Sequence, residues 1–324
     1  MSDWKKNTMS TTLVIVATVM NASAPISMKV TQDEQGQYLY NRYCVFFFAE
    51  VLKFSVAALW CLQLKSTTTE ESKKMYLDWN LFARYSGLGF FFFAQNNLSL
   101  FAIQHYSTSS YQLMMNTRIV LIAILTVFVI GKKLNIIEWL AVLFITVGSL
   151  QHNLPCSGGG LRVSMEGLIV MILCALAAAA GNIYTQLVMQ QSDQPLMFQN
   201  LQLYVSGVVF NGVNWYMSVN VYQSDEVWLG EISPLVFVEI MFFAAYGLCI
   251  SAVLKNFGAL TRTMVGAVAI ILNAVLDVVL FSSSISLFDA TTFVVILVGV
   301  YMFGEVSRVI PKPESQLPRT VAKP

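Results

Sequence analysis

The sequence predicts an all-α polytopic membrane protein of ten transmembrane helices, arranged as two inverted five-helix repeats. Three observations carry that expectation: the composition, the number and spacing of apolar stretches, and a Thr-Arg pair that recurs once in each half. Of 324 residues, 56% are hydrophobic and only 11% charged, which is too apolar for an ordinary soluble domain.

A hydrocarbon core about 30 Å thick requires roughly 20 mostly apolar residues per crossing helix. Stretches of this kind run over Thr11–Met28, Cys44–Leu64, Leu81–Ala102, Ser109–Ile130 and Ile136–Gln151, the last of them short. Five more follow: Met165–Met189, Phe198–Val219, Leu235–Leu254, Leu260–Phe281 and Phe288–Phe303. Ten crossings put both termini on one side. Cytoplasmic loops carry the Lys/Arg excess, and with the N-terminus in the cytoplasm that face receives Lys65, Lys73, Lys74, Lys132, Lys133, Lys255 and the basic residues of the tail. The opposite face receives Lys29, Arg42 and Arg162 and the acidic loops "TQDEQGQ" and "YQSDEVWLGEIS".

The Gly-rich stretch "PCSGGGLRVS" divides the ten stretches five and five. Residues 1–153 form the first half, 154–164 a linker, 165–308 the second half and 309–324 a Pro-rich cytoplasmic tail of one ten-helix domain. An odd number of helices per half makes the second enter the membrane from the other side, the inverted arrangement on which many secondary transporters are built. No Lys-Ser/Thr follows the glycines, so they read as a linker rather than a phosphate cradle. The remaining connections are too short to hold a soluble catalytic domain.

Cys44, Cys61, Cys156, Cys174 and Cys249 show no metal-ligand spacing, and His105 and His152 are isolated, so no metal, cofactor or catalytic dyad is expected. No signal-peptide cleavage pattern follows the first apolar stretch. The sequons beginning at Asn21 and Asn97 fall inside crossings and are not expected to carry glycan.

Thr117-Arg118 lies in the fourth stretch of the first half and Thr261-Arg262 in the fourth of the second. A guanidinium in a membrane span costs at least about 2.5–3.5 kcal/mol on insertion scales, and such a residue faces a protein interior or a wet cavity. The plain alternative is an ion pair with Glu50, Asp277 or Glu239, although Glu50 already has Lys53 at i,i+3. The other reading is an anionic ligand, because arginine offers a planar fork of donors matched to phosphate oxygens. Polar residues gather around Arg118: Gln95, Asn96 and Asn97 in "FFFAQNNLSLF", then Tyr111, Gln112, Met115 and Asn116 in "SSYQLMMNTR". The second half supplies Asn200, Gln202, Tyr204 and Ser206, and positions 200 and 204 share a helix face. Any one amide reads as a helix–helix contact; the set reads as a cavity.

In order and spacing, "AEVLK", "QNN", "STSSYQLMMNTRI", "GKKL" before Trp139, "GNIYTQLVM", "FQNLQLYVSG" and "SAVLKNFGAL" resemble the nucleotide-sugar transporters of the Golgi, within the drug/metabolite transporter superfamily. The likeness spans nearly the whole chain. It implies ten helices and exchange of a cytosolic pyrimidine nucleotide sugar for a lumenal nucleoside monophosphate by alternating access in the Golgi membrane, with lipid and these nucleotides as partners and nucleic acid not among them. It leaves open whether the chain forms a homodimer. The binding residues it implies are Gln95, Asn96, Tyr111, Met115 and Arg118, with Asn200, Tyr204, Ser206 and Arg262. This chain departs from its relatives in carrying Arg118 and Arg262 where they have lysine, and Gln186 and Gln190 where they have Glu and Lys. UDP-sugars are favoured over CMP-sialic acid as the broader substrate group. Three other readings stand beside this one. A membrane-embedded transferase would need a carboxylate pair or metal cluster at the phosphate site. An exporter of another specificity would not need the two arginines. The third is a member that has lost transport.

Overall fold

The computed structural model describes residues 3–32, 38–67, 69–105, 118–152, 165–221, 228–282, 285 and 287–306. Among these the fold is helical, and the sole strand-like feature is an isolated bridge between Tyr40 and Gly230. The helices are α1 (Asp3–Val30), α2 (Arg42–Ser66), α3 (Glu70–Lys73), α4 (Trp79–His105), α5 (Arg118–Phe128), α6 (Ile136–His152), α7 (Met165–Gln191), α8 (Leu196–Asn220), α9 (Pro234–Phe257), α10 (Ala259–Phe281) and α11 (Leu287–Tyr301). A π-helical turn, Met302–Val306, follows the last. Each of the ten apolar stretches overlaps a helix, residues 109–117 of the fourth lying outside the described residues, and α3 is a short additional turn between α2 and α4. The expected linker 154–164 and tail 309–324 lie outside the described residues.

Segments of α1, α2, α7, α9, α10 and α11 are long and apolar enough to cross a membrane, and α5 and α6 are shorter apolar helices. The protein is a multi-pass membrane protein. Helix α8 has the length but is diluted by buried Gln199, Asn200, Gln202, Ser206, Asn211 and Asn214. A lipid-facing helix cannot carry that many amides; one sheathed by other helices can.

Local chemistry sets where the helices start. Asn41 caps α2 by accepting the Tyr43 N–H at 2.9 Å. Asn135 and Glu138 form a reciprocal capping box at the start of α6: each side chain takes the other's backbone N–H, at 2.7 and 2.9 Å. Pro234 occupies the first position of α9, where its missing N–H costs nothing. Gly258, with φ of +87°, separates α9 from α10; only glycine takes that backbone geometry without strain.

The principal packing runs between the two halves. Helix α1 lies on α9 and α10, α2 on α8 and α9, α4 on α7 and α8, α5 on α7, and α6 on α11. The largest core cluster joins Ile119 and Ile122 of α5, Ile145 of α6, Ile183 of α7, Leu254 of α9, Leu260 and Met264 of α10 and Ile296 of α11.

Polar contacts tie both ends of the bundle. At one end the α1–α2 connection pairs with the segment before α9: Asn41 N–H donates to Leu229 O at 3.1 Å and Glu231 N–H to Leu39 O at 2.9 Å. Beside it Glu239 of α9, 3% exposed, accepts from the Tyr40 hydroxyl at 2.6 Å and the Thr31 hydroxyl at 3.1 Å. Burial, and the carboxylate next to it, push the Tyr40 phenol up, so it stays protonated and keeps donating. At the other end Gln194, in the α7–α8 turn, is a hub. Its Nε2 donates to Tyr76 O at 2.7 Å, its Oε1 accepts from Gln202 at 2.8 Å, and its backbone O accepts from Lys255 Nζ at 2.7 Å.

Replacing Glu239 with Ala takes the carboxylate acceptor from the buried Tyr40 hydroxyl, while Thr31 keeps its bonds to Met28 O and Tyr40, and the expected cost is on the order of 1–3 kcal/mol. The measurement is the thermal unfolding midpoint in detergent. Glu239→Gln keeps an acceptor oxygen and should lose less; an Ala variant as stable as the native chain would show that this cluster does not hold the end closed.

Candidate functional site

Helix α9 gathers a set of polar side chains in the middle of the bundle. Its Gly247 lies against Lys53 of α2, where an added Cβ would stand 2.8 Å from Lys53 Cδ. Its Ser251 accepts from Asn200 Nδ2 of α8 at 2.8 Å. Its Tyr246 hydroxyl accepts from Arg262 Nη2 of α10 at 3.4 Å. One helix thus connects a lysine, an asparagine and an arginine from three others.

Lys53 forms an ion pair with Glu50 one turn earlier, with side-chain exposures of only 12% and 18%. On the other side of the pair, Gly207 of α8 gives Glu50 room: a Cβ there would fall 2.6 Å from the carboxylate. Lys53 Nζ also sits 4.9 Å from the ring centroid of Tyr204, close enough for a cation–π attraction. Tyr204 and Asn200 lie one helical turn apart on α8, both buried.

Several buried polar atoms here have no hydrogen-bond partner among the described residues: the Tyr204 hydroxyl, Asn200 Oδ1 and Arg262 Nε. Buried polar groups are nearly always paired, and leaving one unpaired costs about 1–3 kcal/mol. The first two lie on α8 and the third on α10, and Asn200 and Arg262 are each joined to α9, through Ser251 and Tyr246.

Arg118 opens the described part of α5 and is half-buried. The two residues that follow it on the inner face, Ile119 and Ile122, pack in one cluster with Leu260 and Met264, which flank Arg262. The two arginine-bearing helices therefore share a core. Asp277 lies fifteen positions beyond Arg262 on α10, about 22 Å along the axis at the helical rise, which puts it out of reach as a partner within that helix. The ion pairs Lys53–Glu50 and Lys73–Glu70 do not involve Arg262.

The other expected residues divide. Gln95 is half-buried on α4, and its backbone O accepts from Cys174 Sγ of α7 at 3.8 Å. Ser206 donates to Leu203 O of its own helix at 2.7 Å and abuts Gly89 of α4, a helix-packing position. Tyr111 and Met115 lie outside the described residues, as does the side chain of Asn96. Sequence reasoning missed Lys53 as a site residue because Glu50 accounted for it, yet a Lys-Glu pair inside an apolar stretch was itself a signal. Ser251 carried no sequence signal, since a lone serine in a membrane helix commonly bonds its own backbone.

The sequence profile of the family described as "Nucleotide-sugar transporter" matches residues 5–304. The chain is 26% identical over 313 residues to "CMP-sialic acid transporter 1" of Oryza sativa subsp. japonica, covering 92% of this chain and 95% of that one. It is also 26% identical over 300 residues to "Probable UDP-sugar transporter protein SLC35A4" of Xenopus tropicalis, covering 90% of each. A solved crystal structure superposes with a TM-score of 0.72 over 93% of this chain and 98% of its own at 13% identity, a likeness of fold.

Tyr204→Phe removes a buried hydroxyl that has no hydrogen bond of good geometry and only a weak interaction with Ser251, so ligand-free stability should change by no more than on the order of 1 kcal/mol. Thermal unfolding without ligand checks this, and a clear drop would mean the hydroxyl is already bonded. Lys53→Met leaves the Glu50 carboxylate buried alone and should cost about 3–5 kcal/mol, most of it recovered when Glu50→Gln is added. A double-mutant cycle measures the recovery.

Proposed function

The chain belongs to the nucleotide-sugar transporter family, and from that premise we propose that it is an antiporter for a pyrimidine nucleotide sugar. It carries the sugar, UDP-linked in the first instance, from the cytosol into the Golgi lumen and returns a nucleoside monophosphate.

The observation that carries this reading is the unpaired Tyr204 hydroxyl and Asn200 Oδ1 of α8 and Arg262 Nε of α10, on two helices that both pack on α9. Arg262, with an open Nε and a single long contact to Tyr246, holds phosphate oxygens together with Arg118. Asn200 and Tyr204 meet the base and ribose, the ring by stacking and the amide through its open carbonyl. Lys53 adds a third cation beside Tyr204. Gln95 and Asn96, with Tyr111 and Met115 on the approach to Arg118, complete the wall. Ser206 acts through the α4–α8 contact.

The pairing of helices supports two inverted halves. Let α1, α2, α4, α5 and α6 correspond in order to α7 through α11. The packing of α1 on α9 then mirrors that of α7 on α4, α1 on α10 mirrors α7 on α5, and α2 on α9 mirrors α8 on α4. The pairs α2–α8, α5–α10 and α6–α11 map onto themselves. Rocking of such halves about a shared site is the alternating-access motion. The end held by Gln194 is flanked by Lys65, Lys73, Lys74, Arg84 and Lys255, which supports its assignment to the cytosol with both termini. The end closed by Tyr40 and Glu239 is then lumenal.

The rice relative named as a CMP-sialic acid transporter favours a second reading, with CMP-linked sugar as substrate. Uptake of labelled UDP- and CMP-sugars into proteoliposomes preloaded with UMP or CMP separates the two. Exchange with UMP alone is expected, and its loss in Arg118→Ala and Arg262→Ala with folding intact. Transport surviving both substitutions would remove the arginines from the site, and exchange with CMP alone would move the substrate to the second reading.

A further inference from the structure

The break between α9 and α10 is bridged by a chain of side-chain amides from α7. Gln190 Nε2 donates to Leu254 O at 3.2 Å and Lys255 O at 3.1 Å, among the last carbonyls of α9. Gln190 Oε1 accepts from Gln186 Nε2 at 3.1 Å. Gln186 Oε1 accepts the N–H of Ala259, the first residue of α10, at 2.8 Å. Between the two ends stands Gly258, whose φ of +87° turns the chain; a Cβ there would lie 2.8 Å from the Gln186 amide. No side chain fits at that corner without displacing Gln186.

The relay has a polarity that matches the helices it joins. Orphan carbonyls at a helix C-terminus carry partial negative charge and orphan N–H groups at an N-terminus partial positive charge. Gln190 turns a donor to the first and Gln186 an acceptor to the second. Arg262 stands one hydrogen bond beyond, since its backbone N–H bonds to Gly258 O at 3.2 Å. The direction in which α10 leaves the corner therefore sets where the guanidinium reaches Tyr246.

We propose that Gln186 and Gln190 are positioning residues for Arg262: the amide relay on α7 sets the angle of the α9–α10 corner and, through it, the phosphate affinity of the site. The proposal rests on the transport reading only for its ligand. It is distinct from direct binding, because neither amide needs to touch the nucleotide, and it predicts dependence on polarity rather than on the amide as such.

Three variants of the full chain test it: Gln186→Ala; Gln186→Glu with Gln190→Lys, which sets a carboxylate at the N–H end and an ammonium at the carbonyl end; and the reversed pair, Gln186→Lys with Gln190→Glu. Two readouts need no nucleotide: backbone hydrogen exchange across residues 255–262, and labelling of Arg262 by an arginine-selective dicarbonyl reagent mapped by mass spectrometry. The third is KM against Vmax for UMP and CMP in proteoliposomes. Gln186→Ala should speed exchange at Ala259, change Arg262 labelling severalfold and raise KM by about tenfold, the scale of one lost hydrogen bond, with Vmax changed less. The matched Glu-Lys pair should restore all three and make KM newly sensitive to salt; the reversed pair should restore none. Unchanged Arg262 labelling in Gln186→Ala, or a reversed pair as good as the matched one, would overturn the proposal. A native protein that exchanges neither UMP nor CMP would overturn the transport reading instead, and the two nucleotide-free readouts would still decide the relay.

Discussion

Hydrocarbon offers a polar atom no partner, so every donor and acceptor within the bundle must be met by the protein itself or by what the protein binds. That constraint organises what is seen here. The amides of α8 are sheathed by α2 and α4, the capping box of Asn135 and Glu138 closes the start of α6, and the Gln194 hub and the Glu239 cluster absorb polar groups where connections fold back at the two ends. The Tyr204 hydroxyl, Asn200 Oδ1 and Arg262 Nε are left unpaired, as are Gln199 Oε1, Gln202 Oε1 and Asn214 Oδ1 of α8; what sets the first three apart is that their helices meet on α9 next to Lys53 and Tyr246.

Helix α9 is where these threads meet. Gly247, Ser251 and Tyr246 touch Lys53, Asn200 and Arg262 respectively, while the same helix carries Glu239 near one end and the corner at Gly258 at the other. Helix α9 thus links the Glu239 cluster, the contacts with Lys53, Asn200 and Arg262, and the corner at Gly258. One rigid element joining these contacts is the coupling that the proposed alternating access requires. The Lys53–Glu50 pair fits the same logic: nearly buried charges hold their place only while each has the other, so the pair registers α2 against α8 and α9 through the two glycines it rests on.

Much of the fold was legible beforehand. Apolar run length marked where the helices lie, six of them long and apolar enough to cross a membrane, because the thickness of a bilayer imposes a length that composition alone reveals. Thr117-Arg118 and Thr261-Arg262 drew attention for the same reason, as charges in segments that should have none. The approximate i,i+4 geometry of Asn200 and Tyr204 also followed from periodicity, and the structure gives them neighbouring buried positions on α8. Less legible was which way each polar residue turns. Ser206, two positions from Tyr204, points into the α4 contact at Gly89 rather than beside its neighbour's ring, since residues two apart on a helix do not share a face.

By itself, then, the sequence determined the class of protein, the positions of its apolar stretches and the presence of an arginine in two of them, because these depend on local composition and on the solvent the chain must satisfy. Only the tertiary structure decided that Lys53 belongs with Tyr204, that Ser251 holds Asn200, and that Gln186 and Gln190 bridge a corner some seventy positions further along the chain. Those relations depend on how helices are rotated about their axes and on which of them touch. Rotation and contact are set by the packing of many side chains at once, and a hydrophobic stretch in a membrane, apolar on nearly every face, carries little record of which face its partner will take.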